Sequence, residues 1–267
     1  MDPSVPNDAI AAARGYEALY VPAVFTHYTP HLIASAQIAA GHRVLDVACG
    51  TGVLARAARD VVGDSGHVTG LDAAPGMIAV ARDTAPGIDW VLGPVEDADL
   101  ADGVFDRVVS QFGMMFFRDR DAAARQMLRM LAPGGRVAIA VWDTLEHNPA
   151  YFSLAARLEQ QVGPAAGEAM RLPFCMGDPA LLTGLLDRAG FARINATTIS
   201  ENATFPGARA MVEAELRGWL PMFDIHLDEA RIAELLDSAE HDLAGYVTAS
   251  DTAVFPTSAH LVTAIRP

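Results

Sequence analysis

Val44-Leu45-Asp46-Val47-Ala48-Cys49-Gly50-Thr51-Gly52 is the stretch whose reading decides how this chain folds. Its first half is short, apolar and β-branched, and reads as a buried strand over residues 43–47 with Asp46 near its end. The glycines that follow let a ligand approach the backbone closely. Residues 53–62 then continue as a helix whose first N–H groups are free to meet a ligand. Asp72 lies twenty residues beyond Gly52, at the end of a second strand over 67–71. An acid in that place commonly accepts hydrogen bonds from ribose hydroxyls.

Outward from this motif the same alternation continues. A helix over 75–84 starts with Pro in its first turn, and strands follow at 88–92 and 105–110. An amphipathic helix over 121–131 ends at Pro133-Gly134-Gly135, ahead of a strand over 136–142. This rhythm predicts an α/β fold of the Rossmann-like kind: a seven-stranded, mostly parallel sheet with helices on both faces. Residues 8–39 read as helical, divided by Pro22 and Pro30, and form an expected N-terminal helical cap over 1–40. Residues 149–172 read as helical, Asp178-Pro179 opens a helix to Ala189, and a sixth strand is expected at 191–200. Helices at 207–219 and 227–244 precede a last strand near 261–265. The expectation is therefore one domain over 41–267 with helical insertions near 149–189 and 206–245, acting as a lid.

Composition narrows the function. Among 267 residues there are 33 acidic and 19 basic side chains, a formal charge of −14, and every basic one is Arg. Without Lys no Schiff base forms, no pyridoxal phosphate is tethered and no P-loop lysine holds a phosphate. The acidic balance argues against nucleic-acid partners, which need a basic stripe. No apolar stretch is long enough to span a bilayer, and the start lacks the basic and apolar regions of a signal peptide, so a cytoplasmic location without membrane association is expected. Cys49 and Cys175 make neither a disulfide framework nor a zinc cluster. The Arg-only, Ala-rich usage suits a GC-rich bacterial genome.

Two cofactor readings compete at the glycine turn. Gly50-Thr51-Gly52-Val53-Leu54-Ala55 fits the G-x-G-x-x-A dinucleotide fingerprint of nicotinamide oxidoreductases. That turn usually begins directly after its strand, whereas here Asp46 and three further residues precede Gly50. A carboxylate there repels a diphosphate but suits a cofactor bearing an ammonium and a sulfonium and no phosphate, such as S-adenosylmethionine.

The segment resembles motif I of the class I S-adenosylmethionine-dependent methyltransferases, in the form of the methyltransferase-11 and ubiquinone/menaquinone-biosynthesis groups. Gly70-Leu71-Asp72 with Gly76-Met77, the stretch from Gly93 to Asp106, Ser110-Gln111-Phe112 and Leu131-Ala132-Pro133-Gly134-Gly135 extend the likeness over most of 41–142. The resemblance implies that Asp46 orients the turn and the methionyl ammonium, with Ala48, Gly50, Thr51 and Gly52 against the cofactor. It implies that Asp72, beside Ala73, holds the ribose, that Met77 lies on the adenine, and that Gln111 sits near the methionine portion. Tyr20, in the N-terminal helices, is expected to close over the cofactor. Family members often carry Gly-Asp-Ala after the third strand; here Pro94 replaces that acid, leaving the Val95 backbone and Glu96 or Asp97 to recognise adenine. S-adenosylhomocysteine would be the product of the cofactor.

Methyl transfer is an in-line displacement and needs a general base only where the acceptor must lose a proton. His147, after the fifth strand, is the candidate for that role. His27 and His31 are four apart, but Pro30 interrupts them and no third ligand is evident, so no metal is expected. Phe112 and Met115, with Phe152, Phe174, Trp219 and Phe223 from the helical additions, are candidates to line an apolar pocket. The expected activity is methylation of a small apolar or aromatic acceptor, on oxygen first, with nitrogen and carbon open. A nicotinamide oxidoreductase and a non-catalytic S-adenosylmethionine-binding protein are the alternatives, and a homodimer is left open.

Overall fold

The computed structural model describes residues 5–267. Seven strands, β1 (Arg43–Val47), β2 (His67–Asp72), β3 (Asp89–Leu92), β4 (Phe105–Gln111), β5 (Leu131–Trp142), β6 (Ala192–Phe205) and β7 (Ala253–Ile265), form one sheet in the order β3-β2-β1-β4-β5-β7-β6. The ladders joining β3, β2, β1, β4 and β5 are parallel. Gly134 and Gly135 exchange backbone bonds with Arg266, and the Asp143 N–H donates to the Ser258 carbonyl, so β7 runs antiparallel to β5. Thr197 with Leu261, Thr198 with His260 and Thr257 with Glu201 set β6 antiparallel to β7. The mixed sheet is the expected Rossmann-like one.

The helices are α1 (Asn7–Tyr20), α2 (Thr26–Ala36), α3 (Val53–Val62), α4 (Pro75–Thr84), α5 (Arg120–Met130), α6 (Pro149–Gln161), α7 (Pro164–Arg171), α8 (Pro179–Ala189), α9 (Ala208–Ala214) and α10 (Glu229–Asp242). Contacts divide the chain into two compact units. One comprises the described residues up to 141, with 178–199 and 259–267; the other comprises 142–177 and 200–258. Within the first, α1 packs on α4, and the helices α1 and α2 belong with the sheet. Val44, Leu45 and Val47 are wholly buried, as a central parallel strand covered on both faces requires.

Several boundaries differ from the sequence reading. Pro22 does not divide α1 from α2, because a π turn over Val21–Phe25 absorbs it, and Pro30 sits inside α2. The Thr26 hydroxyl and the Gln111 amide bond the Val21 and Phe25 carbonyls in that widened turn. Residues 149–172 break at Gly163 into α6 and α7. The segment 131–135 joins β5 across a register shift opposite Phe105 and Arg107 rather than forming a separate turn. The last two strands are longer than expected, starting or ending inside segments rich in Thr and Ser.

Candidate active site

The strand order reverses between β1 and β4, and open α/β sheets bind ligands outside the carboxyl ends of the strands at such a point. Two non-glycine residues flank it in the left-handed region, Ala48 (φ 55°) after β1 and Phe112 (φ 58°) after β4. Strain of this kind persists where the surrounding structure over-determines it, and it clusters at ligand sites.

Four buried polar atoms gather on the strand ends and turn of this region without a hydrogen-bond partner: both carboxylate oxygens of Asp46, the Thr51 hydroxyl and the Ser110 hydroxyl. Asp46 is 1% exposed. Burial pushes its carboxyl well above the usual range, the nearby Ala55 N–H opposes the rise, and the Asp72 charge adds to it. A buried carboxylate left this bare is costly unless a cation or donor meets it.

Asp72 shapes the turn itself. One oxygen accepts from the Gly50 N–H at 2.8 Å and the other from the Ala74 N–H at 2.8 Å. Burial raises its carboxyl above the usual range while those two N–H groups oppose the rise. Gly52 opens α3 at φ 94°, and no side chain caps that helix end. A Cβ on Gly52 would lie 2.3 Å from the Trp90 ring, so the β3 tryptophan packs flush on the turn.

The N-terminal helices cover this turn with aromatic rings. Tyr16, rather than the expected Tyr20, comes closest: its phenol oxygen is 3.7 Å from the Cβ position of Gly50, and burial together with Asp72, Glu17 and Asp46 pushes its pKa up. Tyr20 stacks on Tyr16 with centroids 6.0 Å apart, Phe25 stacks on Tyr16 at 5.3 Å, and Phe112 meets Phe25 at 5.8 Å and Tyr28 at 5.0 Å. Arg56 ties the cover to the turn, donating to the Thr51 carbonyl at 2.7 Å and to Glu17 at 2.8 Å. Gln111 turns its amide to the Phe25 carbonyl and the Thr29 hydroxyl.

The remaining expected positions divide. Met77 packs against the cluster formed by Ile10 and Ala13 of α1 with Ala79 and Val80 of α4, and Ala73 is exposed. Val95 is buried after Pro94, while Glu96 accepts from the Arg118 and Asp119 N–H groups and Asp97 pairs with Arg118. Met115 is 1% exposed, a core position, whereas Phe152 is 47% exposed. Phe174 packs on Trp142 and Tyr151, and Trp219 packs on Phe223 while its indole N–H donates to the Ala169 carbonyl.

In the second unit, His147 makes a contact the sequence reading did not anticipate. Its Nδ1 lies 2.9 Å from Asp143 Oδ2, which also accepts from the Ser258 hydroxyl at 2.8 Å; Oδ1 accepts from the Thr144 N–H at 2.7 Å. Asp143 stands four residues before His147, a spacing visible in the sequence; Ser258 is too distant in the chain to have been found. Trp90 and Ser110 were likewise given no role at the turn, although an aromatic on β3 facing glycines is a recognisable pattern.

A family profile for a methyltransferase domain matches residues 44–135. The ubiquinone/menaquinone biosynthesis C-methyltransferase of Xanthomonas axonopodis pv. citri is 31% identical over 202 residues, covering 68% of this chain and 80% of that protein. This chain belongs to the class I S-adenosylmethionine-dependent methyltransferases. It is an enzyme of that family, with S-adenosylmethionine as its cofactor, and the nicotinamide and non-catalytic alternatives fall away. The 2-phytyl-1,4-naphtoquinone methyltransferase of Thermosynechococcus vestitus is 32% identical over 166 residues, 58% of this chain and 74% of that protein. In fold, the phosphoethanolamine N-methyltransferase 2 of Haemonchus contortus, solved with S-adenosyl-L-methionine, aligns with a TM-score of 0.60 at 16% identity, covering 97% of this chain and 57% of that one. No helix among the described residues is long and apolar enough to cross a membrane.

The partnerless Asp46 carboxylate fits the ammonium of such a cofactor, and the uncapped start of α3 fits its carboxylate. S-adenosylmethionine supplies an electrophilic methyl on a cationic sulfur.

Proposed function

We propose that this methyltransferase acts on a small, apolar, hydroxylated aromatic of the quinol class. The observation that carries the cofactor side is the buried Asp46 carboxylate with no partner on either oxygen. In this reading Asp46 receives the methionyl ammonium and the Gly50–Gly52 backbone lies along the methionine chain. Asp72 holds the ribose with Ala73 beside it, and Met77, Pro94 and Val95 border the adenine. The rings of Tyr16, Tyr20 and Phe25 shield the charged sulfur from water, and an aromatic face near a cation is itself favourable. Glu96 holds the segment at Arg118 and Asp119, so adenine recognition falls to backbone groups near Val95 rather than to an acid at Pro94.

For the acceptor, His147 takes the hydroxyl proton through Nε2, raising the electron density of the ring and its oxygen. The names of the quinone-modifying relatives support attack from a ring carbon next to that oxygen. A second reading, transfer to the oxygen, is favoured by the pairing of His147 with a carboxylate, which serves a hydroxyl nucleophile directly. The aromatic residues Phe174, Trp219 and Phe223 supply apolar surface suited to such an acceptor.

The test is incubation with methyl-labelled S-adenosylmethionine and a panel of hydroquinones, naphthohydroquinones and simple phenols. Labelled product is expected from a hydroxylated aromatic, and its carbon spectrum tells ring methyl from methyl ether. His147→Gln should lower turnover by about 10²–10⁴-fold. Labelling confined to amines or carboxylates would refute the acceptor class, and undiminished turnover in His147→Gln would refute the base.

A further inference from the structure

Asp143 is an acid buried to 5% exposure. Two donors meet its carboxylate, the Thr144 N–H and the Ser258 hydroxyl, and the His147 Nδ1 lies 2.9 Å from the same Oδ2 that the hydroxyl reaches. A carboxylate bonded on both oxygens is fixed in orientation. The position of Ser258 is fixed too. Asn148, wholly buried, accepts from the Ser258 N–H at 2.9 Å and donates to the Ser258 carbonyl and the Thr144 carbonyl. The Asp143 N–H closes the frame on the Ser258 carbonyl. One buried amide therefore braces both the turn that carries His147 and the β7 residue that orients Asp143. The His147 side chain is 66% exposed, so its far edge is open to solvent and its near edge is held.

We propose that Asp143 and Ser258 are positioning residues for proton removal. The Ser258 hydroxyl aims the Asp143 carboxylate, and Asp143 accepts from the His147 Nδ1–H, which fixes the tautomer that presents Nε2 as a proton acceptor. This rests on the reading of His147 as the base. The acceptor's O–H bond breaks, the proton goes to Nε2, and the imidazolium formed is stabilised by the Asp143 charge. The proton then leaves to water from the exposed edge of the ring, restoring the neutral Nδ1–H form. An imidazole in solution prefers the other tautomer, so the arrangement has a direct signature.

Two carboxylates face the ring: Asp143, and the exposed Glu146, whose carboxyl is held below its usual range first by its own backbone N–H and the Thr144 hydroxyl. Glu146→Gln is therefore the control for general charge.

The experiment is ¹⁵N nuclear magnetic resonance of histidine-labelled full-length protein, followed with pH, for wild type, Asp143→Asn, Ser258→Ala and Glu146→Gln. Wild type should show His147 as the Nδ1–H tautomer when neutral. Asp143→Asn should abolish that preference. Ser258→Ala, which keeps every backbone bond to Asn148, should populate a mixture, and Glu146→Gln should leave the tautomer unchanged. An Nδ1–H tautomer in wild type that persists in both Asp143→Asn and Ser258→Ala would overturn the proposal, as would an Nε2–H tautomer in wild type. If Asp143→Asn does not fold, the wild-type and Ser258→Ala spectra decide the matter alone. Wild-type turnover by His147→Gln, with the tautomer as stated, would instead overturn the base reading on which the proposal rests.

Discussion

Asp46 shows how one residue can trade stability for binding. The folded protein buries its carboxyl with no partner, so its pKa is raised in the folded state relative to the unfolded chain. Folding then favours the protonated form. The cofactor-free protein loses stability as pH rises from about 4, where the unfolded carboxyl ionises, towards the higher folded value. Asp46→Asn removes this dependence, because the amide never ionises. Between pH 5 and 8 the wild type should lose about 1–3 kcal/mol more stability than Asp46→Asn, read by urea denaturation without cofactor. Parallel curves would show that Asp46 is already satisfied. The same substitution should weaken S-adenosylhomocysteine binding. Asp46 and Asp72 were legible in the sequence because strand, acid, glycines and second acid fall at close, characteristic spacings. Ser110 and Thr51 carried no such signal, since a hydroxyl at a strand end is usually ordinary. Ser258 meets Asp143 only because β7 returns beside β5, a pairing that local sequence does not encode.

Elements rather than residues decide how the turn is covered. α1 lies so close to the start of α4 that a Cβ on Gly76 would fall 2.4 Å from the Ala9 carbonyl oxygen. That approach sets Tyr16 over Gly50, with Met77 packed on the cluster where Ile10 and Ala13 meet Ala79 and Val80. Gly76→Ala should push α1 outward at a cost of about 1–3 kcal/mol. Amide exchange over residues 7–20 should accelerate while β1 and β4 stay protected; unchanged exchange would mean that the contact does not hold the helix. The existence of these helices was legible from periodicity, but their continuity was not. Pro22 and Pro30 read as breaks because proline lacks an N–H. A π turn and side-chain bonds from Thr26 and Gln111 supplied what the backbone lost, and one of those donors lies on a distant strand. The central parallel strands were the easiest to find, because burial on both faces makes each a short apolar run between turns. The extended β6, largely exposed, and β7, buried but interrupted by Thr257, Ser258, His260 and Thr263, lacked that contrast.

At the scale of the whole molecule, a charge of −14 repels itself without a single Lys to relieve it. Arg pairs with Asp and Glu across the surface, as in Arg217 with Glu213 and Glu229, but exposed pairs contribute little individually. Thermal stability near neutral pH should therefore rise between about 10 and 150 mM salt as the repulsion is screened. A fall over that range would show that the ion pairs outweigh it. Fold and cofactor were legible because they rest on one compact motif. The acceptor was not, because the aromatic residues considered for its pocket are spread from Phe112 to Phe223 along the chain and no short spacing unites them. The central claim is that the turn from Asp46 to Gly52, closed by Asp72, seats S-adenosylmethionine. Titration calorimetry with S-adenosylhomocysteine tests it most directly, on wild type and on Asp72→Ala. Saturable one-to-one binding is expected for the wild type, weakened by about 1–3 kcal/mol, or about 5- to 150-fold, in Asp72→Ala. Equal affinity in the two proteins, or no binding by the wild type, would contradict it.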